Sequence, residues 1–436
     1  MFAQDVMDQL IRTGPQDPCG RLMRRYWQPV ALSEEVDNKA PLPLTILGED
    51  YVAFRNADGV PGLMARLCAH RGADLSYGVC EPEGLRCLYH GWKYDVTGQC
   101  VEQPPEPEGR GFADRIRLHA PPVVERAGLL FAYLGEGEPP EFPDYEFLRY
   151  DEENTFVTKV FHECNHLQAN EGNLDQSHLG FLHVFYPEET HSHQELEKSA
   201  PGGSKNAVEL INEDKAPEME VEYTDYGFTE FTTRKAPEGR YLKIQSFLLP
   251  NVAVFPGAVQ GIGGHQVHWH VPVDDENHWK FVLVFRRDEA VDKARLAKAL
   301  VGVDELLPGY RMKRTRANHH LQNRPQMASA LPTNGLGLGF EIHDAVICES
   351  GGAIQDRLQE NLGYSDRSVI ALRRSMLDAI KRIDAGEPAP GTVHRPEDNG
   401  FPEINVIAQV IAEGEDPRRI AAEVADRRRV EEAARG

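Results

Sequence analysis

The chain has 436 residues, of which 41% are hydrophobic and 27% charged, an ordinary globular balance that fits two or three domains. Its formal charge of −22 disfavours contact with phosphate backbones, so nucleic-acid binding is not expected. No apolar run approaches the roughly 18 residues that span a bilayer, and the start, Met1-Phe2-Ala3-Gln4-Asp5, lacks a basic and then apolar leader. A cytoplasmic location without membrane contact is the expectation.

Residues 1–27 read as an opening helix and turn that ends in Arg24-Arg25-Tyr26-Trp27. From about 28 to 135, short β-rich runs such as Tyr51-Val52-Ala53-Phe54 and Leu129-Leu130-Phe131-Ala132-Tyr133 alternate with turn residues, the pattern of a small all-β module. Gly135, Gly137 and Pro139-Pro140 mark a linker. We therefore divide the chain into 1–145 and 146–436. In the second part, residues 165–184 read as helix and 185–220 as a polar, mobile loop. Strands are predicted at 226–234, 241–255, 265–273 and 279–285, and consecutive strands with turn signals favour an antiparallel sheet. Helical stretches are predicted at 289–303, 341–362 and 366–384. Asp416-Pro417 opens a C-terminal helix as cap and first-turn proline. The fold class is α+β, an all-β module followed by a sheet with helices grouped around it.

Seven cysteines, an odd number, argue against a disulfide framework. Cys19, Cys80, Cys100, Cys164 and Cys348 read as small buried side chains. Cys68 and Cys87 do not, because each sits beside a histidine in Cys68-Ala69-His70 and Cys87-Leu88-Tyr89-His90. Each half offers one thiolate and one imidazole. Structural zinc sites usually take C-x₂₋₄-C or H-x₃₋₅-H pairs, so the C-x-H half is unusual for them. Two Cys and two His fit a [2Fe–2S] centre with the thiolates on one iron and the imidazoles on the other.

A second group lies at 170–183, with Asp175, His178 and His183. Two histidines and a carboxylate can form the facial triad of non-haem Fe²⁺. In one continuous helix Asp175 and His178 share a face, but His178 and His183 are about 140° apart. They converge only if the helix is kinked or bulged, which Gly180 would ease. On their own the two histidines could equally be unrelated surface or core residues.

The pattern C-x-H-x₁₆-C-x₂-H, followed by Gly91-Trp92-Lys93-Tyr94, resembles the Rieske domain of ring-hydroxylating oxygenases. Respiratory Rieske proteins carry an extra cysteine in each loop, near Ala73 and Tyr89 here, so that class is disfavoured. D-x₂-H-x₄-H downstream resembles the same oxygenases' catalytic domain. Glu349-Ser350-Gly351-Gly352, Gly363-Tyr364-Ser365-Asp366 and Arg12-Thr13-Gly14-Pro15 resemble the phthalate dioxygenase-like branch. The resemblance covers roughly residues 10–385.

The resemblance implies a Rieske domain followed by a helix-grip (START-like) catalytic domain with a C-terminal helical extension. It implies Cys68, His70, Cys87 and His90 as [2Fe–2S] ligands, and His178, His183 and the distant Asp344 as Fe²⁺ ligands, with Glu341 and Asp356 as rivals for the last place. It implies Asp175 as the carboxylate that passes electrons between the two sites, across subunits of a homotrimer or stacked pair of trimers. One departure is Gly172, where many members have Asn; Asn170 and Asn173 stand nearby. The implied activity is that of a terminal oxygenase using O₂ and electrons from NAD(P)H, delivered by a flavin- or ferredoxin-type reductase. The expected product is a cis-dihydrodiol or hydroxylated ring from an aromatic, carboxylated substrate; O- or N-demethylation of a methoxylated aromatic acid is the alternative. Lys215, Arg234 and Lys243 are candidate carboxylate partners, with exposed strand or loop charge as the plain reading of each. His265, His268 and His270 read as alternating on one strand, so that one face carries none of them.

Overall fold

The computed structural model describes residues 3–183, 198–257, 263–327, 334–337, 339–401, 404 and 406–435. Helices α1 (Gln4–Ile11) and α2 (Pro18–Met23) open the chain and bury Met7, Leu10, Leu22 and Met23 against the rest. Three small antiparallel sheets follow. β1 (Trp27–Leu32), β9 (Val123–Arg126) and β10 (Leu129–Tyr133) form one, in the order β1-β10-β9. β2 (Leu42–Ile46), β3 (Glu49–Arg55) and β4 (Pro61–Ala65) form the second. β5 (Val79–Glu81), β6 (Gly84–Arg86), β7 (Lys93–Asp95) and β8 (Cys100–Glu102) form the third. Between the last two sheets Val52, Phe54, Met64, Leu75, Leu85, Trp92 and Tyr94 make a dry core.

The second sheet system is larger. β11 (Thr155–His162), β12 (Glu218–Thr224), β13 (Gly227–Ala236), β14 (Gly239–Leu248), β15 (Val252–Phe255), β16 (Gly264–Pro272), β17 (His278–Arg286), β18 (Leu306–Leu307), β19 (Arg311–Met312) and β20 (Ile407–Ile411) form one ten-stranded sheet. Its order is β12-β13-β14-β15-β16-β17-β11-β19-β18, with β20 on β14. Pairing is antiparallel except for one parallel bridge, Phe161 to Arg311. Helices α3 (His166–Leu174), α4 (Ala207–Glu213), α5 (Phe340–Ser350), α6 (Arg367–Asp384) and α7 (Pro417–Arg435) pack around it. A continuous apolar core joins both sheet systems, with the Phe131 ring 6.0 Å from that of Trp269.

Several expectations need correction. The predicted 241–255 strand is two strands, β14 and β15, broken at 249–251. The 341–362 helix stops at Ser350, and 289–303 holds only a single α-turn, Lys293–Leu296, followed by a wide turn. Of the loop predicted at 185–220, residues 185–197 lie outside the described residues; the rest contains α4 and the start of β12. β11 and β20 carry no turn-bounded alternation of their own and were not predicted. Both are buried almost throughout, so their periodicity is silent.

Candidate metal centres and cavity

Helix α3 begins at Asn165, whose side-chain oxygen accepts from the Leu167 N–H. It ends at Leu174, because Asp175 has extended dihedrals (φ −77°, ψ 125°). The single helix expected over 165–184 is therefore wrong, and no bulge at Gly180 is needed. The Asp175 carboxylate accepts from the Ser177 N–H at 2.7 Å and turns the chain. A 3₁₀ turn over His178–Gly180 follows, and the Leu182 N–H closes back on the His178 carbonyl at 2.8 Å. This turn chemistry brings the two imidazoles together, with ring centroids 5.1 Å apart.

Helix α5 supplies the third group. Asp344 Oδ1 lies 2.9 Å from His183 Nε2 and 3.6 Å from His178 Nε2. One donor atom from each of these three residues falls within a 4.8 Å set. Burial by itself would raise the Asp344 carboxyl, but His183, Lys280 and His178 outweigh it and hold it far below the usual carboxylate range. Burial keeps the His183 imidazole neutral, the form that binds a metal. Asp175 Oδ2 stands 3.7 Å from His178 Nδ1, the nitrogen that faces away from Asp344. The rivals are engaged elsewhere. Glu341 meets Lys280 and His268, and Asp356 caps the Leu358 N–H at 3.1 Å.

A polar chain runs behind the group. His278 Nδ1 sits 2.7 Å from the Cys164 carbonyl, which can only accept, so Nδ1 carries the proton. His270 Nδ1 then donates to His278 Nε2 at 3.1 Å, and the Asn173 amide donates to His270 Nε2 at 3.0 Å. Asn173 Oδ1 accepts from His268 Nδ1 at 2.7 Å, and Gln266 donates to His268 Nε2 at 2.6 Å. One carbonyl thus sets the tautomer of three histidines, all kept neutral by burial. Asn173, next to Gly172, is the amide that links His270 to His268. At Gly172 a Cβ would approach the Cys348 sulfur to 3.3 Å. Asn170 is buried with both side-chain polar atoms unpartnered.

The alternation expected for three histidines on β16 holds for two. Residues 265 and 268 differ in parity, so His265 points to the opposite face, against Phe147 and Phe285. His268 and Gln266 line a cavity of about 120 Å³ together with His178, His183 and Asp344. Its apolar walls include Leu179, Phe255, Leu300 and Phe340. Of the three candidate cations only Lys243 lines it. Lys215 is exposed, with its ammonium 4.4 Å from the Phe181 ring centroid. Arg234 is buried and donates to the carbonyls of Asp214 and Gln176. Burial, then the nearby Arg234, bring Lys243 down to about 8, against the pull of Glu230 and Asp175.

The other group occupies two matching loops at the tip of the N-terminal part. The Cys68 carbonyl accepts from Gly72 N–H and the Cys68 N–H donates to Ala73. The Cys87 carbonyl accepts from Gly91 N–H and the Cys87 N–H donates to Trp92. Gly72 (φ +70°) and Gly91 (φ +73°) are left-handed, which glycine adopts without strain and which closes both turns. Both sulfurs are buried, Cys68 Sγ lies 3.1 Å from the Tyr94 hydroxyl, and all seven cysteines are free. The His70 and His90 rings stand 4.4 Å apart, and His70 stacks on Trp92 at 4.6 Å. His70 Nδ1 is buried and without a hydrogen-bond partner, an orphan that a bound iron would satisfy. Two thiols, two imidazoles and that orphan fit a [2Fe–2S] cluster.

Comparison with known proteins agrees with this geometry. Residues 26–120 match the Rieske [2Fe-2S] domain, and residues 132–434 match the LigXa C-terminal domain-like family. The chain belongs to the Rieske non-haem iron oxygenases. It is similar to the phthalate 4,5-dioxygenase oxygenase subunit of Pseudomonas putida, with 33% identity over 88% of this chain and 87% of that one. It is also similar to the 5,5'-dehydrodivanillate O-demethylase oxygenase subunit of a Sphingobium species, with 30% identity over 97% and 91%. Crystalline dicamba monooxygenase bound to 3,6-dichlorosalicylic acid shares the fold, with a TM-score of 0.54 at 18% identity over 84% of this chain and 100% of that one. This Rieske oxygenase is thus an oxidoreductase built for a [2Fe–2S] cluster and a non-haem iron, with O₂ as co-substrate. Among the described residues no helix is long and apolar enough to cross a membrane.

Proposed function

We propose that this Rieske oxygenase is the terminal component of a multicomponent system that dihydroxylates an aromatic carboxylate. The observation that carries the reading is the convergence of His178, His183 and Asp344 at a cavity whose wall also presents Lys243. In this reading residues 1–145 receive electrons and residues 146–436 hold the substrate. Cys68, His70, Cys87 and His90 would hold the cluster, and His178, His183 and Asp344 the Fe²⁺. When bound, the cluster supplies single electrons and the Fe²⁺ supplies O₂ activation. NAD(P)H provides the electrons through a separate flavin- or ferredoxin-type reductase, and the chain works in the cytoplasm as a homotrimer or a pair of trimers.

The chain's own residues do the rest. Lys243 fixes the substrate carboxylate by a charge-assisted hydrogen bond. Leu179, Phe255, Leu300 and Phe340 clasp the ring and exclude water. Asp175, 3.7 Å from His178 Nδ1, would tie the electron route to that imidazole. The balance is one arene, one O₂, two electrons and two protons to one cis-dihydrodiol.

O-demethylation is the second reading, favoured by the near full-length similarity to an O-demethylase subunit. There the same two electrons and two protons, with one O₂, turn an aryl methyl ether into a phenol, formaldehyde and water. A single-turnover assay of chemically reduced enzyme under ¹⁸O₂, with phthalates, methoxybenzoates and phenoxybenzoates, separates the two. Two labelled oxygens in one product establish dihydroxylation. One labelled oxygen released in formaldehyde, with an unlabelled phenol, establishes demethylation. Oxygen uptake without any labelled product from these acids overturns the substrate class.

A further inference from the structure

Lys280 lies wholly buried near the start of β17, where an ammonium is costly unless it is paired. It faces two carboxylates on α5, Glu341 and Asp344, three residues apart and therefore on one helix face. Glu341 is its contact partner and accepts from Gln266 Nε2 at 3.3 Å. That pair is neutral and would be complete without Asp344. Yet Lys280 Nζ also stands 3.7 Å from Asp344 Oδ2, while Asp344 Oδ1 faces His183 and His178. The two oxygens of Asp344 thus have different neighbours, imidazoles on one side and an ammonium on the other.

We propose that Lys280 is a positioning residue that holds Asp344 to a single oxygen at the metal site. The inference rests on the proposed Fe²⁺ ligand set. A carboxylate that swings to give both oxygens takes up one more coordination position, and a facial triad works through the positions it leaves open. Lys280 draws Oδ2 towards the sheet and leaves Oδ1 for the metal. Glu341, turned towards Lys280 and Gln266, is itself kept from competing as a ligand.

The test uses the full chain loaded anaerobically with ferrous iron. Iron affinity is read by chelator competition, the nitric oxide adduct of the ferrous site by electron paramagnetic resonance, and folding by cluster absorption. Wild type and His183→Ala come first. If wild type takes up no ferrous iron beyond the cluster, or if His183→Ala takes up as much, the ligand set itself is wrong. With that established, Lys280→Met/Glu341→Gln removes the buried pair as a neutral unit. We expect unchanged cluster absorption, roughly 10- to 100-fold weaker iron binding and an altered rhombicity of the nitric oxide signal. Glu341→Gln alone leaves Lys280 in place and keeps the wild-type signal shape. Wild-type affinity and signal in the double variant overturn the proposal, as does a Glu341→Gln signal shifted as far as that of the double variant. If the double variant loses its cluster absorption, Lys280→Gln/Glu341→Gln, which keeps a hydrogen-bonding pair in the buried site, gives the same two outcomes.

Discussion

Asp344 Oδ1 lies 2.9 Å from His183 Nε2, across 161 residues of sequence. The contact joins a turn after α3 to the face of α5, so the site forms only when both elements pack on the same side of the sheet. Removing any of its three members should empty the site and leave the other cofactor alone. His178→Ala, His183→Ala and Asp344→Ala are expected to weaken ferrous iron binding by more than the ~100-fold typical of residues outside the ligand set. Cluster absorption should stay at the wild-type level. Iron analysis with visible spectroscopy checks this; loss of both cofactors together would mean that the variants unfold instead.

The converse holds for the tip loops. Cys87→Ser removes one of two buried thiols from a pair of matching turns. We expect the visible absorption of the cluster to vanish while ferrous iron still binds at His178, His183 and Asp344. Single-turnover chemistry should then fail for want of stored electrons. Retained cluster absorption would remove Cys87 from the ligand set.

The cysteine–histidine spacing made the tip legible, because tight loops keep their Cys and His side chains together whatever surrounds them. Local spacing was less informative at the second site. Asp175, His178 and His183 were legible as a group, yet the 3.6-residue period misled, since an Asx turn at Asp175 ends the helix. Asp344 was reached only through the family resemblance, because no local pattern ties residue 344 to residue 183. Lys280 and Asn173 were not found. Lys280 sits in an apolar strand whose other side chains hide it, and Asn173 was named only as a neighbour of the Gly172 departure. Their roles come from what packs against them across the sheet, which strand periodicity does not encode.

Lys243 makes substrate binding depend on pH. Burial and Arg234 bring its ammonium down to about 8. Below that value it is charged and can hold a carboxylate; above it the charge is lost. kcat/KM for an aromatic acid, which reports the free enzyme, should therefore fall above pH 8, approaching about tenfold per pH unit. Lys243→Arg keeps its charge and should abolish the fall. Lys243→Met should lower kcat/KM at pH 7 by on the order of 10- to 100-fold, the worth of a hydrogen bond to a charged group. A neutral methoxyarene should show none of these effects. An unchanged pH profile in Lys243→Arg would assign the titration to another group.

The helix that leads into the site is fastened by a buried charge network. Glu171, on α3, accepts from Arg373 Nε at 2.7 Å and Arg357 Nη2 at 3.0 Å. Arg373 also makes two 2.7 Å hydrogen bonds to Glu360. Burial would raise the Glu171 carboxyl, but the two guanidinium groups overcome it and hold it below its usual value. Its contribution to stability is thus present above the unfolded carboxyl value and is lost as pH falls through the lowered one. Glu171→Ala should cost about 3–5 kcal/mol, because two buried arginines lose a partner that water cannot replace. Glu171→Gln keeps the shape and part of the hydrogen bonding, so it should cost less and should flatten the acid limb of stability against pH. Because α3 carries Asn173 and ends at Asp175, the loss should reach the metal site. We expect the alanine variant to release ferrous iron at a lower temperature than it loses cluster absorption. Heating wild type and both variants while following iron release and visible absorption checks this, and simultaneous loss of both signals would show that the network steadies the whole molecule and not α3 in particular.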